Sequence, residues 1–408
     1  MTLDSRSHRI PGWLLLVGAM SGVGPFSIDM YLPGFPMIER EFAEQGVERT
    51  MAAYLVGITI GQLLYGPISD RFGRKPPLYV GFTLYVLGAM GCAFASDMTM
   101  LTLMRVVQAL GACGGLVIGR AIIRDRCQPH EAARAFAILM SIVSLGPIVA
   151  PTLGGWVITL VGWRGTFVFQ AALGVALLIA MHSLLRESRD ALNIVPFSTP
   201  HVVRTYARLL LDPALVAYSL LGGFAIGALF CYVTGSATVM QELYALTPQQ
   251  YGWLLGLNGI AFLTASRLNV RALRSMGPAE SLSRAIWWPP VVGVLLVASA
   301  AFVSLPLWFA IILQFAFFLC TARVTPNVTA LGLAPHGKTA GAAAALMGSL
   351  QSLVSTLAGM AVAVFNDGTL ATLALLMTAG VVLAVVCYFW ARRYASGTPG
   401  HPDDGMET

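Results

Sequence analysis

About twelve long apolar stretches, divided by short polar turns, constrain this chain more than any motif in it. They run over residues 12–33, 49–68, 77–96, 99–121, 134–161, 165–185, 213–240, 249–269, 284–304, 306–330, 339–365 and 369–391. A helix needs ~20 apolar residues to cross a bilayer, so each stretch reads as one membrane span. Composition agrees. Only 11% of residues are charged and 57% are apolar, whereas a soluble domain carries about 25% charged residues. Mean hydropathy is +0.74. The spans leave no room for a large soluble domain. Arg6 and Arg9 precede the first stretch, which is too long for the apolar part of a signal peptide and reads as a retained span.

The one long polar break, 186–212, carries Arg186, Arg189, Arg204 and Arg208 and divides the spans six and six. Lys and Arg accumulate on the cytoplasmic side of membranes. With the N-terminus inside, the inner loops hold Arg71, Arg74, Lys75, Arg124, Arg126, Arg134, Arg271, Arg274, Arg392 and Arg393 as well as the linker arginines. The outer loops hold only Arg40, Arg49 and Arg164, beside the acids Glu39, Glu41, Glu44, Glu48, Asp97, Glu242 and Asp367, and the bias fails only at the loop of Arg164. The net charge of +6 follows from this placement and implies no nucleic-acid partner. Six scattered cysteines, without metal-ligand spacing, read as packing residues, so no metal or other cofactor is expected.

Asp29 lies inside the first span, in Phe26-Ser27-Ile28-Asp29-Met30-Tyr31-Leu32-Pro33. Charged groups within spans are costly and mark ion or substrate pathways, and desolvation favours a neutral, protonated carboxyl. Arg105, in the fourth span, falls at a similar depth, ~8–10 Å from the outer surface at 1.5 Å per residue. An Asp29–Arg105 pair that proton binding loosens is the expected switch. The inner loop Gly66-Pro67-Ile68-Ser69-Asp70-Arg71-Phe72-Gly73-Arg74-Lys75 joins one acid to three cations, with Asp125 as the expected partner of Arg74, forming a cytoplasmic gate. A weak echo, Asn269 to Gly277, follows the eighth span.

The fifth span contains Gly146, Pro147, Pro151, Gly154 and Gly155. Proline kinks a helix and glycine permits close packing, the pattern of a pivot. Arg323, followed by Pro326 and Asn327, and the residues Tyr31, Tyr232, Trp253, Asn258 and Phe318 are the expected contacts for a substrate in a central apolar cavity. Arg267, near Arg271, reads as reaching the interface. Residues Gly332 to Thr339 spell the G-x-x-x-x-G-K-[ST] phosphate loop. That loop works only after a strand in a βαβ fold, and here it falls between two spans.

Together these residues resemble the major facilitator superfamily, specifically drug:proton antiporters of the Bcr/CflA type, over nearly the whole chain. Ser27 to Pro33 resembles the first-helix motif whose acid is implicated in proton coupling. Gly66 to Lys75 resembles motif A, the cytoplasmic latch. Arg105 with Gln108 and Gly111 resembles motif B, whose arginine takes part in proton transfer. Gly146-Pro147 through Gly154-Gly155 resembles motif C, the antiporter signature. Arg323 and Arg267 stand where this family is expected to have uncharged residues, which leaves room for a dedicated cargo such as a siderophore or nucleoside.

The resemblance implies an all-α membrane protein with the major facilitator fold: a six-helix bundle over 1–185, a linker over 186–212, a second bundle over 213–393 and a cytoplasmic tail over 394–408. It implies a monomer of the bacterial inner membrane, termini inside, that exports an antibiotic or metabolite in exchange for protons by alternating access. The rival readings are a proton-coupled importer, an ATP-driven pump without its nucleotide domain, and a polytopic enzyme without a clustered catalytic site.

Overall fold

The computed structural model describes residues 10–188, 199–300 and 305–395; Arg189 and the tail from 396 onward lie outside it. The first half comprises α1 (Gly12–Asp29), α2 (Phe35–Phe42), α3 (Glu48–Phe72), α4 (Lys75–Ala93), α5 (Met98–Arg126), α6 (Pro129–Val143), α7 (Gly146–Val161) and α8 (Trp163–Leu184). A linker helix, α9 (Thr199–Leu210), leads to α10 (Pro213–Leu243), α11 (Pro248–Ala272), α12 (Pro278–Ala285), α13 (Trp288–Ala300), α14 (Leu307–Ala322), α15 (Val324–Leu333), α16 (Ala340–Phe365) and α17 (Leu370–Ala395). Among the described residues there is no strand, and the Gly332–Thr339 stretch runs from α15 through a 3-10 turn into α16. It is no phosphate loop.

Among the described residues, eleven helical stretches are long and apolar enough to cross a membrane. The remaining expected span is α11, whose 25 residues reach ~37 Å at 1.5 Å per residue but include Gln249, Gln250, Asn258, Arg267 and Asn269. Gln249, Asn258 and Asn269 meet other helices, Gln250 caps the N-terminal end and Arg267 is exposed near the other end, so length is kept while apolarity falls.

Four expected spans are interrupted. The helix ends fall at Asp29, Val143, Ala285 and Ala322, and prolines stand four residues on, at Pro33, Pro147, Pro289 and Pro326. A proline removes the donor for the carbonyl four residues back and its ring crowds that carbonyl. At each site the helix stops and restarts; after Asp29 it does so through a 3-10 turn, Leu32–Gly34. Pro25, Pro67 and Pro151 are instead carried inside helices.

In the first half α5 is central, packed on α1, α3 and α4; in the second, α10 packs on α16 and α17. The halves meet along two seams, α3 with α16 and α7 with α11. Small residues make the second seam close. A Cβ on Gly155 would stand 2.6 Å from the Pro248 carbonyl oxygen, and one on Gly252 would overlap that of Pro151. The seam follows α7, the outer half of the fifth span, and not α6, so the two helices part toward the inner side.

At the end that carries the acidic loops, hydrogen bonds join the halves. Glu48 Oε1 accepts from Asn366 Nδ2 at 3.1 Å and Thr238 Oγ1 at 3.4 Å, and Gln241 Nε2 donates to the Pro33 carbonyl at 3.2 Å. Deeper in, Gln62 Nε2 donates to Ser352 Oγ at 3.3 Å across α3 and α16. Arg164 pairs with Glu41, donates to the Ala95 carbonyl at 2.8 Å and lies over the Trp163 ring. These contacts account for Arg164 on the acidic side.

Gly154 and Gly66 separate steric need from family pattern. A Cβ on Gly154 would overlap the Met30 carbonyl oxygen, whereas one on Gly66 meets nothing within 4 Å. Gly154→Ala is expected to destabilise the protein by ~1–3 kcal/mol, the usual range for overpacking, and Gly66→Ala to leave it unchanged. Thermal unfolding of the two variants in detergent, side by side, checks this; equal melting temperatures would refute the packing argument.

Candidate functional site

Asp29 is the last residue of α1, at the junction of three elements. Its neighbour Met30 touches Gly154 of α7 through its carbonyl, the following turn packs on α7 and α11, and its carboxylate lies in electrostatic range of Tyr251 on α11. Asp29 is partly exposed by area, yet the surrounding protein desolvates it. A side chain with both properties lines a cleft. Among the described residues Asp29 makes no hydrogen bond and no ion pair.

Arg105 does not pair with Asp29. It is wholly buried, with its guanidinium carbon 4.2 Å from the centre of the Tyr31 ring and 4.0 Å from that of Tyr54. Its Nη1 donates to Gln108 Oε1 at 2.7 Å and to the Ser27 carbonyl at 3.2 Å, while Nε and Nη2 find no acceptor. Gln108 continues to Gln170 at 2.7 Å, and Ser27 Oγ meets the Tyr85 hydroxyl at 2.7 Å. Equal depth was the basis for expecting the pair, but depth says nothing of azimuth, and Arg105 points into the α3 and α4 side of its own bundle. It grips the end of α1 two residues before Asp29.

The inner loop forms a compact cluster. Arg74 is buried; its Nε donates to Asp125 Oδ2 at 2.7 Å and its Nη1 to Asp70 Oδ1 at 2.8 Å and Ser69 Oγ at 2.9 Å. Burial disfavours the Arg74 charge, but the bonds from Asp125 and Asp70 outweigh that and hold its pKa above the ordinary value. Gly73 has φ +83°, a left-handed turn that glycine adopts without strain. Arg71 lies 5.1 Å from the Phe72 ring. Gly66 contributes through its backbone, as the carbonyl acceptor of Ser69 Oγ, which any residue supplies.

The structure scatters the expected substrate contacts. Tyr31 is fully buried, hydrogen-bonded to Thr50 at 3.0 Å and covering Arg105, so it lines no central cavity. Trp253 is 55% exposed on an open face of α11. Tyr232 and Phe318 stack edge-on at 5.6 Å inside the second half, where Tyr232 borders a small cavity with Gln314 and Met377. Gln314 Nε2 donates to Asn258 Oδ1 at 3.0 Å. Arg323 sits at the α14–α15 break, and its carbonyl accepts from Asn327 Nδ2 at 2.9 Å. Gly146 and Pro147 open α7 after the break, and Pro151 lies against α11; the expected pivot is a restart of the helix.

Three residues had escaped the sequence reading. Glu187, after α8, accepts the backbone N–H groups of Arg74 and Lys75, each at 2.9 Å, and so caps α4. Gln62 bridges the halves. Arg120 stands on α5 with no acidic neighbour; its signal was a lone cation one turn before Arg124.

Comparison with known proteins fits this geometry. An uncharacterized MFS-type transporter of Bacillus subtilis, YdgK, is 31% identical over 378 residues, spanning 92% of this chain and 94% of that protein. A bicyclomycin resistance protein homolog of Haemophilus influenzae is 27% identical over 93% of this chain and 95% of its own length. Multidrug resistance protein D of Escherichia coli is 26% identical over 94% and 96%. A solved D-xylose–proton symporter superposes with a TM-score of 0.73 at 16% identity, covering 93% of this chain and 97% of its own, which speaks to the fold alone. Residues 14–359 match the Major Facilitator Superfamily. The chain, a multi-pass membrane transporter rather than an enzyme, belongs to that superfamily.

Proposed function

We propose that this transporter exports a small organic molecule in exchange for protons, with Asp29 as the proton carrier. The observation that carries this is the Asp29 carboxylate itself, cleft-lining, desolvated and without a cation, at the point where α1, α7 and α11 converge. A charged carboxylate sealed there without a partner costs several kcal/mol; a protonated one does not. The sealed outer face therefore suits the neutral form. Loss of the proton to the cytoplasm and binding of cargo favour reopening toward the outside, where a new proton displaces the cargo. Lobes 1–185 and 213–393 rock about the α7–α11 and α3–α16 seams. Relatives bearing the names of bicyclomycin and multidrug resistance proteins support export of drugs or chemically similar metabolites. The Lys and Arg distribution supports a bacterial inner-membrane location with both termini in the cytoplasm.

In inverted membrane vesicles, Asp29→Asn is expected to remove pH-driven uptake of chloramphenicol or bicyclomycin while the protein keeps its gel-filtration profile. Full pH-coupled movement of either drug by the variant would contradict the assignment. Drug movement out of such vesicles would instead show an importer.

The Arg74 cluster acts as the inner latch. Arg74→Ala removes charged hydrogen bonds to Asp125 and Asp70 and is expected to lower stability by ~2–3 kcal/mol, the range for one such bond beyond what water restores. Gly73→Ala, strained by its positive φ, is expected to do the same through the backbone. Thermal melts of both in detergent, and the pH-driven rate in vesicles, report the effect; an Arg74→Ala protein as stable and active as wild type would dismiss the latch.

A further inference from the structure

Arg120 and Arg124 are one turn apart on α5 and have no acidic counterpart. Among the described residues neither donates a hydrogen bond nor joins an ion pair, and the charges felt by Arg120 are those of Cys113 and Arg124. The other inner arginines nearby are accounted for. Arg74 is held by Asp125 and Asp70, and Arg126 by the Arg186 carbonyl and the Trp13 ring at 5.2 Å.

The pair faces the interior seam. Cys113, two turns above Arg120 on the same face, lies 3.6 Å from the Ile58 carbonyl of α3. Below it, Arg124 Nη1 is 3.2 Å from where a Cβ on Gly341 would stand, in the first turn of α16. The strip thus runs down between α3 and α16, at the inner mouth of the cleft. Arg120 is exposed by area and yet desolvated by its surroundings, the same combination that marks Asp29 as cleft-lining. Like charges one turn apart on a helix repel, and the positive end of α16 adds to the potential. The small residues Ala340 to Ala345 leave room beside it. Attraction to the inner membrane surface explains Arg124 but gives no reason for Arg120 to turn into the seam.

We propose that Arg120 and Arg124 form an anion-recognition site at the inner mouth through which the transporter accepts, besides neutral drugs, cargo that bears a carboxylate, sulfonate or phosphate group. The proposal rests on the export reading above and names its substrate class. Guanidinium groups bind such groups through paired, charge-assisted hydrogen bonds. The rise of ~22 Å along α5 from Arg105 to Arg120 sets the bound anion well apart in space from the Asp29 region. Cargo recognition and proton binding are thereby separated.

The test uses the purified full chain in detergent, with fluorescein as an anionic probe and chloramphenicol as a neutral one. Wild type is expected to bind fluorescein in a salt-sensitive manner by fluorescence anisotropy. Arg120→Gln weakens that binding about tenfold or more, a change of ~1.4 kcal/mol; Arg120→Lys recovers part of it, and chloramphenicol binding stays unchanged. Equal fluorescein binding by wild type and Arg120→Gln, or none by wild type, overturns the site. Nanodiscs with and without phosphatidylglycerol form the second arm. If Arg120→Gln loses only a stabilisation by that lipid and keeps fluorescein binding, the anion is a headgroup and the cargo assignment falls. No pH gradient is used, so Asp29→Asn protein binds fluorescein like wild type, and failure of the proton-carrier role leaves this result untouched.

Discussion

Backbone polar groups in a bilayer have no water to turn to, so each must be satisfied by protein. Every proline inside a span breaks that rule locally, and the breaks at Asp29, Val143, Ala285 and Ala322 are where this structure departs from plain helices. The carbonyls beside two of them are met by side chains. Arg105 Nη1 reaches the Ser27 carbonyl at 3.2 Å, and Asn327 Nδ2 reaches that of Arg323 at 2.9 Å. Charged residues sit at the same two breaks, Asp29 in the first span and Arg323 in the tenth. Interrupted helices place polar chemistry within the membrane because the interruption already demands polar partners there.

That demand explains how Arg105 is buried without a carboxylate. Removing a guanidinium from water costs several kcal/mol. Two aromatic faces near 4 Å return ~2 kcal/mol each when desolvated, and the bonds to Gln108 and Ser27 return ~1.5–3 kcal/mol each. The sum is comparable with the cost, so the residue persists even though Nε and Nη2 lack acceptors. Its charge is stabilised by rings and dipoles instead of by a carboxylate. Arg105 is therefore a fixed anchor for the end of α1.

Span positions, the inner cluster of Arg74 with Asp125, and the tight α7 glycines were readable because each follows from local pattern: apolar run length, charge spacing, small residues beside proline. The breaks were visible as prolines, yet only those of the fifth span were read as bends, since a proline in a span is equally often carried, as Pro25 and Pro67 are. Azimuth was beyond reach. Tyr31, Trp253 and Arg105 each lie at the expected depth and face elsewhere, because lipid-facing, core and cleft positions share one composition when the solvent is hydrocarbon. Arg120 was hidden among arginines that membrane orientation alone explains.

The two halves solve the same inner corner differently. In the first, the end of α3 is tied to the loop and to α5 by Ser69, Asp70, Arg74 and Asp125. In the second, the end of α11 is tied to α12 and α15 by Asn269, which accepts from Asn327 Nδ2 at 2.8 Å and Ser281 Oγ at 3.1 Å. The elements correspond, but the charges are gone. A neutral buried cluster has little desolvation to recover on opening and responds weakly to salt or to a passing ion. A charged one, with Asp70 54% exposed and Asp125 at the rim, is sensitive to both. The charged corner of the first half is therefore the one that responds to salt and to ions, and through Asp125 it adjoins Arg124 on α5.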